Sequence, residues 1–152
     1  YNINGLNPSS PSIDFLNEWF FKTMHHEFAH ILHQTKNYST DFNLISTDYQ
    51  GPSWLNLESD AVANKMGYVT CYASYSPDED FVEIISNYVT HAKGYWESVL
   101  ATAGEEGGDK LARKFEIVRN YLQESWGIDI DKLRDIVQKR SANISQLDLK
   151  TL

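Results

Sequence analysis

The chain has 152 residues, 41% of them hydrophobic and 22% charged, the composition of one ordinary globular domain able to bury its own core. A formal charge of −8 and a pI of about 5.0 remove the basic footprint of a nucleic-acid binder and disfavour anionic membrane surfaces. No apolar run approaches the roughly 20 residues needed to span a bilayer. The single Cys71 supplies neither an internal disulfide nor a thiolate zinc cage, so a metal site here would draw on His and carboxylates.

Tyr1 reads as mid-protein sequence, without an initiating Met or a signal pattern, and the chain is expected to be a fragment or a mature domain. Residues 1–12 form a Pro/Ser-rich lead-in, with a short edge strand conceivable over 1–4. Ser12 then suits a helix N-cap, and apolar residues from Ile13 through Trp19, Phe20, Phe21, Met24, Phe28, Ile31 and Leu32 recur at helical spacing to about Gln34. This girth-wide apolar helix is expected to be the central helix of the fold.

Residues 35–56 show no sustained period and read as a long loop. A short helix over 57–65 ends at Gly67, and 68–75 suits an extended segment. Ser76-Pro77-Asp78-Glu79 is a helix start, with Ser as N-cap and Pro at the first position. That helix runs to about Lys93, with Phe81, Ile84, Ile85, Tyr88 and Val89 on its core side and Gly94 as its stop. Further helices are expected over 95–103 and 110–126, separated by an acidic Gly-rich turn at 104–108 and with Asp109 as a cap. Asp129 or Asp131 opens the last helix, with Leu133, Ile136 and Val137 buried and Lys132, Arg134, Lys139 and Arg140 solvated. The 129–135 stretch lacks the Gly and the alternating oxygens of a calcium loop.

One stretch names a chemistry: His26-Glu27-Phe28-Ala29-His30. Residues four apart on a helix differ by about 40° around the axis, so both imidazoles leave one face and can share a metal ion. Glu27, about 100° round from His26, is placed as a base toward water beside the metal rather than as a ligand. A catalytic zinc site needs a third protein ligand. The metzincin solution requires Gly and His where this chain has His33 and Lys36, and is excluded. The remaining common solution is a carboxylate on a neighbouring helix. Glu79 and Glu83 share a face there, so one can bind metal while the other holds a histidine N–H; Glu79 is preferred as ligand. Acidic residues at a helix start also complement the helix dipole with no ligand role. His91 is a weaker alternative ligand, and His25 and His33 are not expected to bind metal, His33 being a buried histidine or one that holds another residue.

The His26–His30 helix followed by Glu-Asp-Phe-Val-Glu at 79–83 resembles the gluzincin metallopeptidases. More narrowly, the motifs at 26–34, 67–70 and 77–83, with Trp-Gly-Ile-Asp-Ile-Asp-Lys-Leu-Arg at 126–134, resemble the substrate import-associated zinc metallohydrolase lipoproteins of Bacteroidetes. This resemblance implies an α+β zincin-like catalytic domain, mainly α, with a small or truncated β part and a C-terminal helical bundle. It implies an exported protein, periplasmic or at the cell surface, with a lipid anchor in a preceding region. Residues 70–83 are also similar to a stretch of anthrax lethal factor, which implies a Tyr hydroxyl near the metal and maps it onto Tyr72, with Tyr75 as the fallback.

The resulting expectation is a single zinc (Zn2+) metallopeptidase domain acting on a peptide or protein substrate. His26, His30 and Glu79 hold the metal, Glu27 is the general base, and Tyr72 assists. The competing expectation is a zinc-containing binding or nutrient-capture domain without turnover, against which the presence of Glu27 argues.

Overall fold

The computed structural model describes residues 20–143, so the expectations for the lead-in, for the helix start at Ser12 and for the last residues lie outside the described part. Among these residues six helices follow in chain order: α1 (Lys22–Thr35), α2 (Phe42–Ile45), α3 (Asp60–Met66), α4 (Pro77–Thr90), α5 (Gly94–Trp126) and α6 (Ile130–Ala142). Single 3-10 turns at Gly51–Asn56 and Tyr72–Ser74 bracket α3. The fold is mainly helical, with no strand among the described residues. Residues 68–75, expected to be extended, instead wind into the second of these turns.

Among the described residues the centre of the fold is α4, not the expected α1. Ser76 caps α4, its Oγ accepting from the Glu79 backbone N–H, and Pro77 occupies the first position, where no N–H is needed. From Asp80 to Thr90 every residue is buried, because α1, α5, α6 and the Tyr72–Ser74 turn all pack around this helix. Phe81, Val82, Ile84 and Val89 are fully enclosed, each contributing on the order of 1.5–3 kcal/mol by leaving water. Helix α1 lies on one side of α4 through Ala29 and Leu32, while Met24, Phe28 and Ile31 are 54–65% exposed. A periodic apolar pattern reports faces that are apolar, and here only one of them meets the core.

The expected acidic turn at 104–108 shrinks to one residue. Gly104, at φ 71° and ψ −164°, kinks α5, and the helix resumes at once; Asp109 is an interior position rather than a cap. The second glycine serves packing: a Cβ on Gly107 would stand 2.3 Å from the Asn64 carbonyl oxygen of α3. Gly107→Ala is therefore expected to cost about 1–3 kcal/mol by forcing the helices apart. Gly108→Ala, whose Cβ would meet only the Leu100 carbonyl oxygen at 3.5 Å, should be neutral or stabilising. Thermal melts of the two variants check the contrast. Gly94, expected to stop α4, instead opens α5. In α6, Asp129 caps through Oδ1, which accepts from the Asp131 and Lys132 N–H groups. Arg134, expected to be solvated, is buried over the Tyr88 ring at 4.5 Å, whereas Ile136 is 49% exposed. No helix among the described residues is long and apolar enough to cross a membrane.

Candidate metal centre

The site forms where the middle of α1 faces the first two turns of α4. His26 and His30, one turn apart on α1, bring their Nε2 atoms to 3.2 Å from each other. Glu79, in the first turn of α4, places Oε2 at 3.1 Å from His26 Nε2 and 3.4 Å from His30 Nε2. Three ligand atoms held about 2.0–2.1 Å from a zinc ion at tetrahedral angles would stand roughly 3.3–3.4 Å apart, close to these separations.

The outer nitrogen of His26 explains why its inner lone pair turns toward the cluster. His26 Nδ1 donates to Glu83 Oε1 at 2.8 Å. Glu83 is itself fixed by Thr70 Oγ1, which donates to Oε2 at 2.7 Å, and by Asn87 Nδ2 at 3.1 Å. Burial would raise the Glu83 carboxyl, but the hydrogen bonds from His26 and Thr70 and the charge of Lys22 outweigh it and hold its pKa below the usual range. Burial likewise opposes a charged His26 ring, yet the hydrogen bond and charge of Glu83 lift its pKa. An ionised carboxylate only accepts, so the neutral His26 ring carries its proton on Nδ1 and turns the Nε2 lone pair toward Glu79. His30 Nδ1 meets His33 Nε2 at 2.9 Å, and burial lowers the His33 pKa, favouring its neutral form. Glu79 Oε2 is buried and accepts no hydrogen bond. A buried carboxylate oxygen without a donor, facing two imidazole nitrogens, is an unfavourable cluster that a divalent cation relieves. The donor set of two imidazoles and one carboxylate suits zinc.

A family model described as "Putative zinc-binding metallo-peptidase" matches residues 1–131, most of the chain. The chain belongs to this family. Among solved structures, the crystal structure of a "putative zinc-binding metallo-peptidase" from Bacteroides caccae ATCC 43185 is similar at a TM-score of 0.87 and 41% sequence identity. The match covers 98% of this chain and 56% of that one, so the chain spans just over half the length of its solved relative. No curated protein matches the chain.

Among the described residues of this family member, His26, His30 and Glu79 are the one cluster of three or more His, Cys, Asp or Glu able to hold a metal. Glu27 is half-buried on α1, near enough for its charge to act on the His26 ring. Tyr72 stacks on His26, ring centroids 5.9 Å apart, and is backed by Trp54 at 5.1 Å. The Tyr75 ring lies 6.1 Å from that of Tyr72 and is 39% exposed. His91 stays away from the cluster, its Nδ1 beside the Asn87 carbonyl oxygen and its ring on Tyr95. Thr70 and Asn87 were not foreseen. Asn87 lies one turn beyond Glu83 on α4, a spacing readable in principle, whereas nothing local points from Thr70 to Glu83.

Proposed function

We propose that the chain is the zincin-like catalytic domain of a gluzincin-type zinc metallopeptidase, with His26, His30 and Glu79 as metal ligands. The observation that carries this reading is the convergence of two imidazole Nε2 atoms on a buried Glu79 oxygen that no hydrogen bond satisfies. The chemistry a zinc ion supplies in such a site is Lewis acidity, which acidifies water and polarises a carbonyl. Glu83 orients His26, and Glu79 adds the negative charge that holds a divalent cation. Glu27, adjacent to His26 on the helix, takes a proton from the attacking water on its carboxylate and returns it to the leaving amine nitrogen. Tyr72, stacked beside His26, is the residue proposed to donate its phenol hydrogen to the carbonyl oxygen as that oxygen gains negative charge.

The whole protein's substrate is proposed to be a peptide or protein. The likeness of its motifs to exported lipoproteins favours a periplasmic or surface location. Metal analysis of protein purified without added zinc, combined with hydrolysis of a peptide pool with and without chelator, tests the reading. About one zinc per chain and cleavage that chelator stops and zinc restores are expected. Zinc-free protein, or cleavage indifferent to chelator, overturns it.

A further inference from the structure

We infer that His33 is a positioning residue for the metal centre, accepting the Nδ1 proton of His30 on its own Nε2 and so turning the His30 Nε2 lone pair toward His26 and Glu79. This rests on the proposed ligand role of His30. The contact between the two rings is 2.9 Å and permits two arrangements. If His33 donates, His30 Nδ1 accepts and its Nε2 carries the hydrogen, which then points at His26 Nε2 or Glu79 Oε2 and blocks ligation. If His33 accepts, His30 Nε2 is bare. Only the second arrangement presents three lone pairs to one point, so an ion bound there selects it, and an acceptor at residue 33 favours it in advance.

The position is built to hold that acceptor. His33 is one helical turn beyond His30 on α1, buried, and packed edge-on against Tyr38 at 5.6 Å and Phe81 at 6.2 Å. Tyr38 is fixed in turn: its ring stacks on Phe81 at 4.1 Å and its hydroxyl donates to Asp78 Oδ1 at 2.6 Å. Asp78 and Phe81 flank Glu79 in the first turns of α4, so the clamp around His33 and the third ligand share one rigid segment. Metal-binding histidines ordinarily give this outer proton to a carboxylate, a carbonyl or water. His26 follows that pattern through Glu83, whereas His30 departs from it, its Nδ1 meeting a second imidazole. His33 also lines a surface cavity of about 370 Å³ together with Gln34, Asn37 and Tyr38.

The experiment compares His33→Leu, which keeps bulk but cannot accept, with His33→Gln, whose Oε1 can reach the place of the imidazole Nε2. Zinc affinity is read by competition with a chromophoric chelator, and ligand geometry by the visible absorption of the cobalt-substituted protein. His33→Leu should weaken zinc about 10–100-fold and alter the cobalt spectrum, and His33→Gln should recover most of both. Wild-type zinc affinity and cobalt spectrum in His33→Leu, or a His33→Gln variant as weak as His33→Leu, would overturn the inference. If His33→Leu fails to fold, His33→Asn replaces it, since its shorter amide falls short of His30: weak zinc in Asn with near-normal zinc in Gln supports the role, and equal affinities refute it. His30→Ala is the reference. Unchanged zinc affinity in that variant removes the ligand assignment itself, an outcome separate from any result at residue 33.

Discussion

Glu27→Gln should retain about one zinc per chain while kcat/KM for peptide hydrolysis falls about 10²–10⁴-fold, the range associated with losing a positioned general base. The amide has the shape of the carboxylate and cannot take a proton. Metal retention follows from the geometry: the three converging atoms belong to His26, His30 and Glu79, and Glu27 is not among them. Glu79→Ala is the counterpart: it removes a proposed ligand atom and should lose both zinc and turnover. Metal analysis and initial rates on one peptide read all three proteins. Loss of zinc in Glu27→Gln would make Glu27 a ligand; full activity would make another group the base.

The centre was legible because its parts obey helical arithmetic. His26 and His30, like Glu79 and Glu83, stand four apart, and Ser76-Pro77 marks where the second helix begins, so two facing pairs can be read before any tertiary contact is known. What tertiary packing decides was not legible. The apolar residues of α1 suggested a central helix, yet Met24, Phe28 and Ile31 face outward, while α4 encloses Asp80, Glu83, Ser86, Asn87 and Thr90. Hydrophobic periodicity undervalues a helix whose buried face is polar, because the partners that make burial tolerable come from elsewhere in the chain: His26 and Thr70 for Glu83, Lys114 for Asp80. Gly107 misled for a similar reason. Its lack of a side chain serves an approach to α3 some forty residues earlier, which in sequence looks like a turn.

Lys114→Met should cost about 3–5 kcal/mol of stability at pH 8, since removing one member of a buried ion pair strands the other. Both side chains are fully enclosed. Lys114 Nζ lies 2.6 Å from Asp80 Oδ2 and donates to the Gly67 carbonyl oxygen at 2.8 Å, above the Tyr68 ring at 4.3 Å. Tyr49 adds one hydrogen bond to Asp80 Oδ2, and Oδ1 has no partner. Burial already pushes the Asp80 carboxyl up to about 6, against the pull of Lys114, and burial lowers the Lys114 pKa. An acid that titrates higher in the folded chain than in the unfolded one binds more protons when folded. Its contribution therefore falls as pH rises from about 4 through about 6. Without Lys114 the folded pKa climbs further, so the deficit of the variant relative to the unsubstituted chain should be small at pH 5 and grow toward pH 8. Asp80→Asn combined with Lys114→Met removes the charge and should recover much of the loss at pH 8 while flattening its pH dependence. Urea unfolding at both pH values reads the three proteins. A deficit equal at pH 5 and pH 8 would trace the cost to lost packing of the lysine stem rather than to the stranded carboxylate.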